Sequence, residues 1–513
     1  MNGKWFKRFG ASGSAAAVLL LLTPGMASAL YGGGAGTEPN PYRIGNVADW
    51  TTLALTTEDW DKYFLLANNI DFGGDDVTPV GTSDEPFTGA FDGNGHVLRN
   101  FRINFPDALY IGLFCVLGAG GEIHDLGVEG ADVSGHRYVG ALLGRNNGGT
   151  VTSCYTTGMV AGENPDMGTL FIGGFAGENK GGTLTSCFST CAVTAGNGSN
   201  HIGGLVGSNT EGTLQTCYAT GTVNGTVNVG DLAGMNNGGT IISCCAMGTV
   251  AGSNPVGGLV GYNNATSTIS LCYSTAAVSA TGSYSGGLVG NNYGGISYCY
   301  ARGVVAGESV VGGLVGQNTT ASVRQCYSTG VVTGNVELGG LIGRNTGATI
   351  TACYWDTDLS GQTESDGGTG RTTDEMTYPH ATNTYAGWNF LATWAYDTDY
   401  TVNDGYPYLR QGVVPAEGEP ENEGEVVEGE SEMEGESAEG ENEGESVEGE
   451  QEGEHGEGEV EGEAGDGEGE ACGCCQSIDK NISVREQIEK TLGDWLLVGM
   501  NLAVVAILVK LRA

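Results

Sequence analysis

Basic residues are scarce in this sequence. Lys and Arg number 20 against 61 Asp and Glu in 513 residues, which gives a net charge of −41. No basic stripe is present that could follow a phosphate backbone, which argues against nucleic-acid binding. Proline is also sparse, at 12 residues, and the 92 glycines show no Gly-X-Y period, which excludes a collagen triple helix.

Motifs that carry catalysis are missing as well. The sequence has no His-Glu-x-x-His, no phosphate-binding loop and no recognisable nucleophile with a base and an orienting group. Glu163 and Glu308 share a position in the repeat, but five coils at about 4.8 Å each place them about 24 Å apart. Glycosidase carboxylates lie much closer. We therefore expect no catalytic residues, no cofactor and no metal site, and we interpret the acidic residues near Asp356 as solvated loop charges.

What the sequence does contain is a repeat. A heptapeptide close to Gly-Gly-Leu-Val-Gly-x-Asn recurs about every 27 residues, most clearly from Gly203, Gly257, Gly312 and Gly339. Eight cysteines return at nearly the same interval, and an aliphatic residue follows each of them six positions later, from Val160 to Leu359. The cysteines are Cys154, Cys187, Cys217, Cys244, Cys272, Cys299, Cys326 and Cys353.

A repeat of this length holds two or three short strands with glycine-rich turns. Leucine-rich, ankyrin and tetratricopeptide repeats need helices, which so much glycine would destabilise. The pattern therefore predicts an all-β fold, a parallel β-solenoid of about nine coils of about 27 residues, which we expect to be a right-handed β-helix. Equivalent residues of successive coils should lie about 4.8 Å apart and form columns.

Three columns can be assigned from the register. For the cysteines we expect buried free thiols, with disulfides between coils or a metal site as alternatives. A second column, expected to be a structural amide ladder at a turn, contains Asn146, Asn179, Asn209, Asn236, Asn263, Asn292, Asn318 and Asn345. A third contains Tyr155, Phe188, Tyr218, Tyr273, Tyr300, Tyr327 and Tyr354, interrupted at Cys245. It is either an exposed candidate binding stripe or, if a corner intervenes, part of the core.

The ends of the chain indicate export and anchoring. Basic residues, the apolar run 15–22 and Ala27-Ser28-Ala29 form a secretory signal peptide. Residues 417–470 hold 24 Glu, one Asp and no Lys or Arg, so this tract should be a disordered stalk. The apolar run Trp495–Val509 is short for a span, but we interpret it as a membrane anchor with the C-terminus in the cytoplasm. Residues assigned to anchoring or sorting are Cys472, Cys474, Cys475, Lys510 and Arg512.

The sequence thus divides into seven segments. They are a signal peptide (1–29), an N-terminal cap with first strands and a short helix near 47–55 (30–108), the repeat solenoid (109–360), a C-terminal cap (361–412), a disordered Glu/Gly-rich linker (413–471), a Cys motif with a juxtamembrane segment (472–494) and a transmembrane or sorting helix (495–509).

The repeat, written Gly-Gly-Leu-Val-Gly-x-Asn and then Gly-Thr-Ile-x-x-Cys-Tyr-x-Thr-Gly-x-Val-x-Gly, resembles the GLUG repeat of bacterial secreted and surface proteins. The flanking segments 87–96, 353–356 and 405–409 are similar to those of such proteins, and the tail resembles bacterial C-terminal sorting signals. GLUG repeats occur in adhesin-like proteins and beside the zinc metalloprotease domain of immunoglobulin A proteases. The resemblance implies surface display and permits proteolysis, although the metalloprotease motif is missing here.

These observations together predict a non-catalytic, exported binding or adhesion protein. Its solenoid would be presented on an acidic stalk, bind an unknown glycan or protein, and be anchored in a membrane by the C-terminal helix or released after processing of the tail. Two alternatives remain open: a carbohydrate-active β-helix enzyme of the polysaccharide lyase or glycosidase kind, and a structural coat protein.

Overall fold

The computed structural model describes residues 31–106, 108–162, 171–196 and 198–410. The segments interpreted above as signal peptide, acidic linker, Cys472 motif and membrane anchor lie outside the described residues, as do Glu163 and the final residues of the C-terminal cap. Within the described ranges, no helix has the length and apolar character that a membrane crossing requires.

Residues 31–396 and 407–410 belong to one compact unit, in which the strands pair in parallel with their equivalents one coil on. Asn209 lies opposite Asn236, Leu214 opposite Ile241, and Tyr218 opposite Cys245. The same relation holds along each of four sheets. The prediction of an all-β parallel solenoid is confirmed.

The sheets are named in the order in which the chain passes through a coil. Sheet A contains the Gly-Leu-Val-Gly-x-Asn strands: Phe114–Leu117, Leu143–Asn147, Ala176–Lys180, Val206–Thr210, Ala233–Asn237, Val260–Asn263, Val289–Asn292, Val315–Thr319 and Ile342–Thr346. Sheet B contains Tyr42–Ile44, Tyr63–Leu66, Ala90–Asp92, Glu122–His124, Thr150–Thr152, Thr183–Thr185, Thr213–Gln215, Thr240–Ile242, Thr268–Ser270, Gly295–Ser297, Ser322–Arg324 and Thr349–Thr351.

The remaining two parallel sheets complete the coil. Sheet C, which in most coils consists of two short strands in succession, contains Ile70–Asp71, Val97–Arg99, Arg102–Phe105, Gly127–Gly135, Tyr155–Gly162, Phe188–Ser189, Ala192–Ala195, Tyr218–Ala219, Thr222–Asn224, Cys245–Ala246, Thr249–Gly252, Tyr273–Ser274, Ala277–Ala280, Tyr300–Ala301, Val305–Ala306, Tyr327–Ser328, Val332–Thr333, Tyr354–Asp356 and Thr369–Arg371. Sheet D contains Ile172–Gly173, Asn200–Gly203, Val227–Gly230, Val256–Gly257, Ser283–Gly286, Ser309–Gly312 and Val336–Gly339.

The segment assigned to the N-terminal cap continues the solenoid sheets. It supplies the first three strands of sheet B and, as predicted, a helix at Val47–Leu55, whose first turn is capped by the Asn46 side chain. A 3₁₀ turn, Thr57–Asp59, follows. The Trp50 ring packs edge-on against the rings of Phe91 and Phe114, at 6.1 and 5.8 Å between centroids. Aromatic side chains therefore fill the N-terminal end of the core, whereas smaller aliphatic residues fill the core of the later coils.

The C-terminal end of the solenoid departs from the repeat. Asp356 caps a short helix, Thr357–Ser360, through hydrogen bonds from the amides of Asp358 and Leu359. Leu359 therefore leaves the aliphatic column in which the sequence register placed it, and it is 40% exposed. A second short helix, Thr373–Met376, and an antiparallel pair, Trp394–Ala395 with Tyr408–Leu409, follow.

Residues Asp397–Tyr406 are assigned to a second compact unit. Within this segment the buried Asp397 carboxylate accepts hydrogen bonds from the amides of Thr401, Val402, Asn403 and Gly405, at 2.7 to 3.2 Å. The carboxylate organises a tight loop, since it satisfies amides that no strand pairs.

Close approach of neighbouring chain explains the glycines of the heptapeptide. A Cβ atom on Gly257, the first glycine of its copy, would lie 2.0 Å from the carbonyl oxygen of Val260. The equivalent glycines Gly203, Gly286 and Gly312 would meet the corresponding oxygen at the same 2.0 Å. Real Cβ atoms do not approach so closely, and the obstacle is backbone. The motif is conserved from coil to coil within this chain because the coil closes only without side chains there.

Substituting Gly257→Ala should therefore destabilise the solenoid by about 3 kcal/mol or more, because the backbone of a packed coil must move. Gly295→Ala is the matched control: a Cβ on this strand glycine would have no atom within 4 Å, and the neighbouring coil carries Thr268 opposite it. We expect its free energy of unfolding to change by less than about 0.5 kcal/mol or to rise slightly. Urea unfolding of both variants checks this, and equal losses would contradict it.

Candidate functional site

The asparagine column is a continuous chain of hydrogen bonds inside the solenoid. Each Nδ2 donates to the Oδ1 of the asparagine one coil on, at 2.7 to 3.1 Å, from Asn146 through to Asn345. All but Asn345 are fully buried. The other Nδ2 hydrogen closes the turn between sheets A and B in several coils, as from Asn209 to the Gly212 carbonyl at 3.0 Å. The expected amide ladder is present, and its contacts are structural.

The cysteine column is buried next to the corner between sheets B and C. Each thiol donates to the carbonyl oxygen two residues earlier in the chain, at 3.1 to 3.3 Å. Burial raises the pKa of Cys326 and Cys353 well above the usual range, so these thiols are neutral. None of the eleven cysteines in the described ranges is in a disulfide. They pack as small apolar residues.

The aromatic stripe follows the cysteines on the outer side of sheet C, and its rings stack on each other. Centroids of Tyr155, Phe188 and Tyr218 are 5.0 and 4.6 Å apart, and those of Tyr273, Tyr300 and Tyr327 are 5.0 and 5.1 Å apart, with planes within 8° of parallel. The ring faces are therefore occupied by neighbouring rings. Sugars bind aromatic faces, so the rings inside each stack cannot offer that contact.

The C-terminal segment covers the later part of this stripe. The Tyr327 hydroxyl donates to the Pro407 carbonyl at 2.8 Å, and the rings of Trp388 and Trp394 lie 6.3 and 6.0 Å from that of Tyr327. Tyr327 is fully buried as a result. The binding role assigned to the stripe stays a prediction, and its N-terminal members Tyr155 and Phe188 are the half-buried ones.

A second stack lies at the start of sheet D. The rings of Tyr110, Tyr138, Phe171 and His201 follow one another at 4.9, 4.7 and 5.0 Å. Arg145 lies over the Tyr138 ring at 4.3 Å and Arg137 lies 4.9 Å from it. We call these six residues the arginine–aromatic column. The four rings share a position in the sequence: each occurs two residues before the first glycine of a Gly-Gly element or its equivalent. This spacing is the signal by which the stack could be found from the sequence.

The two arginines of this column differ in their partners. Arg145 forms an ion pair with Glu178, its neighbour in sheet A, at 2.6 Å, and both side chains are largely buried. Arg137 contacts rings but no acidic group among the described residues, and its Nε has no hydrogen-bond partner there. A half-buried guanidinium beside stacked rings can bind a carboxylate or hydroxyl from outside.

His201 ends the stack. Its Nδ1 lies 3.0 Å from the side-chain Nδ2 of Asn228. Because this nitrogen can only donate, Nδ1 is the acceptor. Burial lowers the pKa of His201 from 6.5 to about 4, because the charged ring would lose water without gaining an acidic partner. The ring is therefore neutral near pH 7.

A third group of side chains lies on the outer face of sheet B. Asp92 and His124 are partners on adjacent strands, and Asp125 follows at the corner in a left-handed conformation with φ 53°. Their side chains converge beside a cavity of about 320 Å³ lined by Glu122, Ile123, His124, Asp125, Thr150 and Thr152. The sequence analysis did not find this group, because the members come from two coils.

Comparison with known proteins identifies the repeat. The family model described as the GLUG motif matches residues 198–224 and 307–333, which lie in two different coils. The chain carries GLUG repeats. The resemblance expected from the sequence is confirmed on this point.

Two relatives each match about a quarter of this chain in sequence. Halomucin of Haloquadratum walsbyi is 31% identical over 140 residues, which are 26% of this chain and 2% of halomucin. A candidate Gly-rich membrane protein of Evansella cellulosilytica is 34% identical over 130 residues, which are 24% of this chain and 15% of that protein. The chain thus matches a small part of each relative's length.

Among solved structures, a candidate immunoglobulin A1 protease from Bacteroides ovatus aligns with 74% of this chain and 95% of its own. The sequence identity is 21% and the TM-score is 0.38.

Asn263→Ala should destabilise the protein by about 2 to 4 kcal/mol, since the buried Asn236 amide loses its acceptor and Asn292 its donor. Asn345→Ala, at the half-exposed end of the ladder, removes one ladder partner, that of Asn318, and a part-buried contact to the Ala348 carbonyl, and should cost less. Urea unfolding of the two variants measures the difference. Equal costs would show that the ladder is not a connected network.

Lowering the pH from about 6.5 to about 4 should weaken the fold through His201. Between these pH values His201 binds a proton in the unfolded chain but not in the folded protein. The free energy of unfolding is therefore full above pH 6.5 and falls by up to about 3 kcal/mol as the pH drops to about 4. His201→Phe should keep the stack and remove this component. Urea unfolding of both proteins at pH 7.5 and 4.5 tests it, and an equal loss in both would contradict the assignment.

Proposed function

We propose that this protein is a non-catalytic binding protein of the cell surface that contacts its ligand through the arginine–aromatic column on the outer side of the solenoid. The observation that carries the proposal is the half-buried guanidinium of Arg137 next to the stacked rings of Tyr138 and Phe171. Arginine and tyrosine are the residues that dominate binding energy at protein interfaces.

The inward and outward faces of the strands differ in composition, which supports a binding site on the outward face. Inward positions hold the aliphatic, thiol and amide columns, and the thiol and amide columns each repeat through eight successive coils. Outward positions change from coil to coil: in one register column of sheet B, Thr185 is followed by Gln215, Ile242 and Ser270. A ligand can therefore be selected by outward residues without disturbing the fold.

The column is also prepared for binding before the ligand arrives. Arg145 is held by Glu178 and by the rings of Tyr110 and Tyr138, and parallel stacking restricts each ring. Groups fixed in advance lose little conformational entropy when a partner docks. A carboxylate or hydroxyl placed at Arg137 would gain a charge-assisted hydrogen bond in a partly dry environment.

Surface display rests on the ends of the chain and on a relative. The sequence predicts a signal peptide, an acidic stalk and a membrane anchor, and one relative that matches 24% of this chain is named as a membrane protein. On this proposal the solenoid is held away from the membrane by the stalk, with the outer side of its sheets open to extracellular glycans or proteins.

The test is a glycan and host-protein array probed with the full-length, detergent-solubilised chain. We expect binding to at least one class of ligand, and about 10-fold or greater weakening in the Arg137→Ala variant, as for a residue at the centre of a binding site. Arg324→Ala is the matched control, since this exposed arginine also lies over a tyrosine ring, Tyr298 at 4.7 Å, but on sheet B.

Three results would overturn the proposal. Binding that survives Arg137→Ala but is lost with Arg324→Ala would move the site to sheet B. Depolymerisation of a polysaccharide panel would favour the carbohydrate-active enzyme. Regular self-association without binding to any arrayed molecule would favour the structural coat.

A further inference from the structure

We propose that Asp92, His124 and Asp125 form a binding site for a divalent first-row transition metal ion, with Zn²⁺ as the reference ion. The site lies on sheet B, apart from the arginine–aromatic column on sheets A and D. The metal-binding proposal therefore does not depend on the proposed function. Each residue offers one ligand atom, and the three atoms lie within 4.8 Å of one another.

The distances fit a small tetrahedral ion. His124 Nδ1 lies 3.5 Å from Asp92 Oδ1 and 2.9 Å from Asp125 Oδ2. Zn²⁺ binds imidazole nitrogen and carboxylate oxygen at about 2.0–2.1 Å, for which the edge of a tetrahedron is about 3.3 Å. The two measured separations lie on either side of that value, so small side-chain rotations would complete three of four coordination positions.

The backbone places these ligands without flexible linkers. Asp92 and His124 are directly opposite each other on adjacent rungs of sheet B, and the amide of Gly93 donates to the His124 carbonyl at 2.8 Å. Asp125 is held at the corner by its own amide, which donates to the Thr152 carbonyl at 3.1 Å. The corresponding corner residues in the next coils, Ser153 and Ser186, carry no charge, so the carboxylate is particular to this coil.

The chemistry of the three groups favours a cation over a hydrogen-bonded triad. A neutral imidazole carries one proton, so Nδ1 can donate to Asp125 or to Asp92 but not to both. Asp92 Oδ1 also accepts from the Asn94 amide at 2.7 Å, but in either arrangement the two carboxylates lie within 4.8 Å of each other. A divalent ion binds both carboxylates and the nitrogen at once. A nitrogen donor in the set selects zinc-like ions over calcium and magnesium, which prefer oxygen alone.

The surroundings leave room for a fourth ligand. All three side chains are partly exposed, and the adjacent open cavity of about 320 Å³ is lined by Glu122, Thr150 and Thr152 as well as by His124 and Asp125. Water, or an oxygen of an incoming molecule, can therefore complete the coordination. An open position of this kind separates such a site from a closed structural zinc site.

The experiment uses the full-length chain, stripped of metal with a chelator and with accessible thiols alkylated so that the cysteines at 472–475 cannot bind. Titration with ZnCl₂ by calorimetry should show one saturable site per chain that equimolar Ca²⁺ does not block. The variants His124→Ala and Asp125→Asn should each weaken this site at least about 100-fold, since even loss of an outer partner of a ligand costs 10–100-fold. Asn is tolerated in the left-handed conformation of residue 125.

His96→Ala is the matched control, because His96 lies on the neighbouring turn and contacts Asn69 rather than a carboxylate. It should leave the Zn²⁺ affinity unchanged. X-ray absorption at the zinc edge should show only nitrogen and oxygen neighbours near 2.0–2.1 Å. The proposal is overturned if no site is detected, if sulfur neighbours are found, or if His124→Ala and Asp125→Asn, shown by circular dichroism to be folded, bind Zn²⁺ like the parent.

Discussion

Parallel pairing of each strand with its equivalent one coil on is the constraint on which this structure depends. It brings identical positions within about 4.8 Å of each other, so a residue suited to its neighbours in one coil is suited to them in the next. Asparagine, cysteine and tyrosine therefore form columns. The first glycine of each heptapeptide allows it, because a Cβ at Gly203, Gly257, Gly286 or Gly312 would collide with a backbone oxygen.

The same constraint separates architecture from function. The hydrogen-bonding groups of buried amides and thiols need partners inside the coil. Because the coils repeat, the same residue in the next coil can supply a partner. The outer positions have no such requirement. Both candidate sites accordingly lie outside the asparagine and cysteine columns: the rings of Tyr138 and Phe171 beside Arg137, and His124 between the carboxylates of Asp92 and Asp125.

Register and interior could be predicted from the sequence because they follow from one repeated pattern, and the helix after Asn46 because its cap is local. The facing of the aromatic stripe could not, since it depends on the left-handed residue before each cysteine, such as Ser186 with φ 52°. The burial of the later part of the stripe by the C-terminal segment could not be predicted either, because the contacting residues Tyr327 and Pro407 are 80 residues apart in the sequence. The rings of the arginine–aromatic column share a position in the repeat, but their contact with Arg145 joins two sheets and the Asp92–His124–Asp125 group joins two coils. Spacing within one repeat gives no signal for such contacts.

Register and packing hold the interior of this solenoid together without covalent links between coils. The decisive measurement is mass-spectrometric mapping of alkylated cysteines on denatured and unreduced protein taken from its exported form. We expect the eight column cysteines, from Cys154 to Cys353, all to be recovered as free thiols. Recovery of disulfide-linked peptides from consecutive coils, such as Cys244 with Cys272, would contradict it.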